Sequence, residues 1–426
     1  MNSFEKQTTR SGSRRMAFLC ALVFSLGAVF GMLAGGVHRL SASSSMTDAP
    51  AFAIFEETWN LVQERYVLPE ELDETDLIYG AARGMVEAVG DTGHSAFLDP
   101  VEAQSFRASL NGELIGVGIR IEFNGEYPQV IAPIDGSPAE SAGIESGDFI
   151  LKIDGRDTSR MTPNEVGTLL RGEEGAPVDL TIGRPETETE FDITIVRARI
   201  EVEPVAWAEL PDGLFLLRLN EFSEGAGEAL TQAIEEVIAG GATGIVLDLR
   251  GNPGGYVDEA KRVASEFLPA GSVLYFEQRR GEEPEPITLD REAGAARTMP
   301  LVVLVNERSA SAAEIVAASL RDNARAEVIG VNTFGTATVV SSFGLDDGSI
   351  ASIGTALWTT PNRESVRNVG VSPTIEVKLS PLADETEFES GSFLTLAEIH
   401  ANDDAQLLAA IELLSPPDVL PTALTA

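Results

Sequence analysis

Hydrophobic and polar positions change rhythm several times along this chain, and each change predicts a boundary. From Met16 to Val37 apolar and small residues run without a charge. That length can span a bilayer, and Lys6, Arg10, Arg14 and Arg15 before it predict a cytoplasmic N-terminus with the body on the far side. A signal anchor and a secretory signal both fit; the length of the run favours the anchor. Residues 1–15 are then a basic cytoplasmic segment, 16–37 the anchor, and 38–50 a serine-rich linker. Phe55, Trp59, Leu61, Val62 and Tyr66 make one helical stripe and Leu77 to Val89 a second, so Phe52 to Phe106 is expected to be helical.

From about Asn111 to Arg199 the pattern turns to short strands and turns. Pro128 to Pro133, Phe149 to Ile153, Val178 to Ile182 and Phe191 to Val196 alternate as strands, and Thr162 to Leu170 reads as an amphipathic helix. Residues 200–380 alternate buried-strand runs with helices. Strands are expected at Gly213 to Leu219, Gly244 to Leu249 and Leu301 to Asn306, with helices at Gly225 to Ala239 and Val257 to Phe267. Gly281 to Pro300, charged and proline-bearing, reads as an exposed loop. A helix at Asp404 to Leu414 and a proline-rich tail close the 381–426 segment. The predicted class is a multi-domain α/β protein: helical region 51–110, a strand-rich module 111–199, and an α/β core 200–380.

Composition narrows the partners. The 426 residues carry a formal net charge of −37. Such a surface repels nucleic-acid phosphates and anionic headgroups, so no nucleic-acid partner is expected. Lysine occurs only at Lys6, Lys152, Lys261 and Lys378, histidine only at His38, His94 and His400. The single cysteine, Cys20, lies in the apolar run and excludes an intramolecular disulfide. No cluster has diagnostic metal-ligand spacing, and no cofactor is expected.

The candidate chemistry lies at Ser309-Ala310-Ser311-Ala312-Ala313-Glu314-Ile315, small residues opening a helix from Glu314 to Leu320. A serine near a helix N-terminus has free amides and the helix dipole beside it to stabilise an oxyanion. A sharp turn, Arg250-Gly251-Asn252-Pro253-Gly254-Gly255, follows the strand ending in Leu249. In the strand-rich module, Gly116-Val117-Gly118-Ile119 can present consecutive amides to a carboxylate, as anion nests do.

These segments, in this order, resemble the carboxyl-terminal processing peptidases, or tail-specific proteases. The run Gly136-Ser137-Pro138-Ala139, Ala142-Gly143-Ile144, Gly147-Asp148 and Ile150 to Gly155 looks like a PDZ domain. The resemblance implies a crotonase-like (ClpP-like) protease core and capture of protein C-termini by strand addition, with Gly116 to Ile119 on the carboxylate and Val166 and Leu169 beside the last side chain. It also implies that Ser311 is the nucleophile of a Ser–Lys dyad, and that Ala312 with either Gly254 or Gly255 forms the oxyanion hole. The family's next motif, T-F-G-K-G-x-V-Q, is matched by Thr333-Phe334-Gly335-Thr336-Ala337-Thr338-Val339-Val340. Thr336 therefore replaces the lysine base, and Val340 the glutamine that orients it.

A threonine hydroxyl has no basicity comparable to a desolvated lysine amine. The expected function is a membrane-tethered, extracytoplasmic binder of C-termini that is catalytically impaired, a pseudoprotease that adapts for or partners an active relative. The alternatives are an active serine endopeptidase using an unrecognised base, and an oligomeric scaffold. His94, in Gly90-Asp91-Thr92-Gly93-His94-Ser95, is the one histidine worth considering as that base; a structural turn residue is its other reading. In the family the helical region often forms dimers; a cap on its own body fits as well.

Overall fold

In the computed structural model, residues 52–415 are described, apart from 92–93, 124, 135, 188, 292–293, 381–382 and 384. The expected cytoplasmic segment, anchor and linker therefore lie outside the described residues. Among the described residues no helix is long and apolar enough to cross a membrane. The chain divides into two units, one up to Leu77 and one from Ile78 onward. The first contains α1 (Phe52–Arg65), none of whose residues is buried.

α2 (Glu74–Glu87) leads into the second unit, and the expectation of helix up to Phe106 is corrected there: Ala96–Leu98 is a strand, β1. Asp99 then caps α3 (Pro100–Leu110), accepting from the amides of Val101 and Glu102 at 2.9 Å, with Pro100 in the first turn where its missing N–H costs nothing.

The strand-rich module comprises β2 (Glu113–Gly116), β3 (Ile119–Glu122), β4 (Gln129–Pro133), α4 (Pro138–Ser141), β5 (Phe149–Ile153), β6 (Arg156–Asp157), α5 (Pro163–Leu170), β7 (Pro177–Arg184), β8 (Thr189–Val196) and β9 (Ala198–Glu201). Its sheet runs β3-β4-β5-β7-β8 and leaves β3 at one edge. Val117, Val130, Ile150, Ile153, Val166, Leu180 and Ile182 form a core of their own.

The α/β core is built from β10 (Val205–Glu209), β11 (Leu214–Leu219), α6 (Ala226–Ala239), β12 (Gly244–Asp248), α7 (Val257–Phe267), β13 (Val273–Arg279), β14 (Glu285–Thr288), β15 (Leu301–Val305), α8 (Ala312–Asp322), β16 (Glu327–Gly330), β17 (Thr338–Gly344), β18 (Ile350–Thr359), β19 (Ile375–Glu376), β20 (Ser392–Phe393), α9 (Leu396–Ala401) and α10 (Ala405–Leu414). The main sheet runs β19-β16-β15-β12-β11-β10-β20; from β19 to β11 all neighbours are parallel. Its strands read as unbroken apolar runs because both faces are covered. Leu217, Leu247 and Val303 pack with α6, α7 and α8 on one face, while Leu216, Val246 and Leu304 pack with α9 and α10 on the other. The expected loop at Gly281 to Pro300 holds β14, an edge strand paired with β13; Pro286 is tolerated because an edge needs no second ladder. β18 pairs with β1, β13 and β17, which brings the Asp91–Ser95 turn and the Thr333–Val340 segment to one place.

Candidate active site

Ser311 precedes α8 with φ 54°, a conformation that costs a non-glycine residue about 1–3 kcal/mol. Its amide is held from two sides, donating to Thr336 Oγ1 at 2.7 Å and to Glu314 Oε2 at 2.9 Å. Glu314 is fully buried and ties the two motifs together. It accepts from the amides of Gly335 at 2.7 Å and Thr336 at 2.9 Å, and from the hydroxyls of Thr333 and Thr336. Trp358 fixes the same loop, donating from Nε1 to the Thr336 carbonyl at 2.7 Å. Sequence reasoning missed Glu314 as a site residue, although Ser311-x-x-Glu314 has the spacing of a capping box.

The Gly254 turn faces this loop. A Cβ on Gly254, where φ is +103°, would stand 2.6 Å from Ser311 Cβ, so only glycine permits the approach. Gly254 N–H donates to Asn252 Oδ1 at 2.8 Å, whereas the Gly255 amide has no acceptor among the described residues. Ala312 opens α8, so its amide has no intrahelical acceptor either.

Below the turn, Arg250 and Asp248 are wholly buried and paired at 2.9 Å, with Arg250 also on Asp404 at 2.8 Å and Arg218 on Asp248 at 3.2 Å. Burial alone pushes the Asp248 carboxyl up, but Arg250 and Arg218 outweigh it and hold the group down to about 2. Arg218 continues to Glu387 at 3.3 Å, and Glu387 to Arg120 on β3 at 3.6 Å.

Thr336 is buried and Val340 half-buried, opposite Gly354. Among the described residues no lysine comes to Thr336: Lys152 and Lys378 are exposed, with Lys378 on Glu376, and Lys261 pairs with Asp258 on α7. His94 does reach this neighbourhood. Its Nδ1 is 2.9 Å from Thr338 Oγ1, and that hydroxyl lies 3.1 Å from Asp91 Oδ2. Burial pushes the His94 imidazole below its ordinary range, opposed by the charges of Asp91 and Glu314. Among the described residues no group of three or more His, Cys, Asp or Glu side chains is arranged to hold a metal.

In the module, Gly118 has φ +79° and its missing Cβ would fall 2.3 Å from Ser137 Cβ. The Gly116–Ile119 loop thus packs tightly on the start of α4, beside the open edge of β3. Val117 and Val166 are buried in the module's core, so Val166, expected beside a bound side chain, presents no surface of its own; Leu169 is half-buried.

The comparisons agree with this architecture. The profile of Peptidase family S41 matches residues 214–377, and that of the PDZ domain residues 129–184. The chain is 35% identical over 366 residues to a carboxyl-terminal-processing protease of Synechocystis, covering 84% of this chain and 82% of the relative. It is 32% identical over 370 residues to the carboxy-terminal processing protease CtpA of Bacillus subtilis, covering 86% and 77%. Among solved structures, a putative S41 protease from Bacteroides fragilis shares the fold with a TM-score of 0.53 at 19% identity, covering 83% of this chain and 96% of that one. A PDZ module and an S41 core on one chain, with this similarity across most of both sequences, place the protein in the carboxyl-terminal processing protease family of serine peptidases.

Proposed function

We propose that the protein is a membrane-tethered, extracytoplasmic member of this family that captures protein C-termini with its PDZ domain and is impaired as a Ser–Lys protease. The observation that carries the second half is the Ser311 N–H to Thr336 Oγ1 bond. Where the family's lysine would stand, a neutral hydroxyl accepts from the Ser311 backbone and donates to Glu314, so it takes no proton from the Ser311 side chain. The first half is supported by the open edge of β3 beside the Gly116–Ile119 loop, a geometry suited to strand addition. Tethering rests on the apolar run at residues 16–37 and its basic flank.

The test incubates the full-length protein with an unstructured protein ending in apolar residues, beside Ser311→Ala and a substrate with an amidated C-terminus. Capture should require the free carboxylate, and Ser311-dependent cleavage should run orders of magnitude below that of a lysine-bearing relative. Removing one member of a catalytic unit typically costs about 10⁴- to 10⁶-fold. Cleavage as fast as that of the Bacillus protease would refute the impairment; equal capture of free and amidated ends would refute C-terminal recognition.

A further inference from the structure

We propose that Arg120 selects among captured C-termini, favouring chains whose penultimate residue is aspartate or glutamate. This rests on the reading of the PDZ domain above and narrows its ligand class.

The register of a bound chain follows from the loop that would hold its carboxylate. The Val117 carbonyl accepts from Ala139 N–H and the Gly118 carbonyl from Ile134 N–H, each at 2.9 Å, and Ser137 Oγ adds a bond to the second at 3.1 Å. In a trans peptide the N–H points opposite to the C=O of the preceding residue. With both carbonyls tied back toward the end of β4 and the start of α4, the Gly118 and Ile119 N–H groups turn the other way. They make two consecutive donors for a terminal carboxylate. A chain added antiparallel to β3 from that point has its last residue opposite Ile119 and its penultimate residue opposite Arg120.

Side chains then sort by face. Ile119 and Ile121 pack on the module's core, while Arg120 between them is exposed. The bound chain alternates in the same way, so its penultimate side chain shares a face with Arg120 and its neighbours on either side do not. Directly opposed Cβ atoms stand about 4.5–5.5 Å apart, within reach of a guanidinium–carboxylate pair.

Arg120 is free to make that pair. Among the described residues its guanidinium makes no hydrogen bond, and its ionic partner is Glu387 at 3.6 Å, both side chains being about half exposed. Glu387 lies closer to Arg218, at 3.3 Å, and keeps that partner when Arg120 turns to a ligand. The exchange therefore strands no charge, and Glu387 already shows a carboxylate resting beside this guanidinium. The rest of the chain sharpens the contrast. Asp and Glu outnumber Lys and Arg by 67 to 30, so the protein's overall field repels acidic peptides. A preference for an acidic penultimate residue is thus the mark of Arg120 and not of net charge.

The experiment measures binding of labelled short peptides to the full-length protein by fluorescence anisotropy. All end in the same apolar residue with a free carboxylate. They differ only in carrying Glu, Gln or Lys at the penultimate position or one residue earlier. Penultimate Glu should bind about two- to fivefold tighter than Gln, the scale of an exposed ion pair, and Lys more weakly than Gln. That order should vanish in Arg120→Gln, invert in Arg120→Glu, widen in Glu387→Gln and fade in about 1 M salt. Glu one residue earlier, where the side chain faces the module, should bring no gain. Equal binding of the penultimate Glu and Gln peptides to the wild-type protein overturns the proposal without any variant. So does an unchanged order in folded Arg120→Glu. In both cases binding that is lost on amidating the terminus leaves C-terminal capture standing, whereas failure to bind any free C-terminus overturns both readings.

Discussion

Replacing Glu314 by glutamine tests the charge that organises the site. Glu314 Oε2 accepts from Ser311 N–H and Thr336 N–H at 2.9 Å each and from the Thr336 hydroxyl; Oε1 accepts from Gly335 N–H at 2.7 Å and from the Thr333 hydroxyl. Glutamine has one acceptor oxygen. With its carbonyl toward Ser311 and Thr336, its NH₂ faces Gly335 and Thr333. The Thr333 hydroxyl can turn to accept from it; the Gly335 amide cannot. One orphaned buried donor costs about 1–3 kcal/mol. The three remaining bonds lose their charge assistance, roughly 0.5–1 kcal/mol each. Relief of the buried carboxylate's desolvation offsets part of this. The net is a destabilisation of about 3 kcal/mol.

Urea unfolding followed by tryptophan fluorescence reads this out, since Trp358 is bonded to the Thr336 carbonyl. The midpoint should fall with the slope unchanged. A stability change under about 0.5 kcal/mol, within the range of an ordinary surface substitution, would refute the assignment of Glu314 as the clamp.

Thr336→Lys with Val340→Gln should restore hydrolysis with a rate rising toward alkaline pH, and Thr336→Lys alone should restore less; equal inactivity of the two folded proteins would mean the site differs beyond these positions. Asp248, held down to about 2 against an unfolded value of 3.8, contributes about 2 kcal/mol of stability that is complete above pH 4 and lost as pH falls through 4 toward 2. Asp248→Asn should abolish that acid limb in urea titrations and cost about 3–5 kcal/mol at neutral pH by removing the carboxylate Arg250 and Arg218 share, leaving Arg250 with Asp404 and Arg218 with Glu387. Gly118→Ala, which must place a Cβ 2.3 Å from Ser137 Cβ at φ +79°, should weaken C-terminal peptide binding at least tenfold by calorimetry while Ser311 labelling by a fluorophosphonate is unchanged; unaltered affinity would put the carboxylate elsewhere.

Long periodic segments were legible because one rule governs each of them. The strands at 214–219, 244–248 and 301–305 are buried on both faces, so composition alone marks them, and α7 coincides with its predicted span. β1 was not legible: three residues show no period, and Ala96–Leu98 is a strand only because Ser352 to Ile350 of β18 lies alongside. In the site, the proximity of Ser311, Gly254 and Thr336 followed from motif order. Glu314 was legible in principle from its spacing to Ser311. The meeting of Asp91, His94 and Thr338 was not, because no local pattern relates residues that only β18 brings together.

The persistence of Ser311 and its glycines beside a missing lysine first looks like a sign of retained catalysis. The contacts give it a structural reason as well. Ser311 sits at φ 54°, its Cβ leaves no room for a side chain at Gly254, and Gly255 lies against the Phe222 carbonyl, where a Cβ would stand 2.4 Å away. Any larger residue at these glycines would part the two turns, whether or not a bond is ever cut. Thr336 fits this account too, since its hydroxyl bridges Ser311 N–H and Glu314 and keeps the loop closed without a base. Packing alone therefore explains the serine turn.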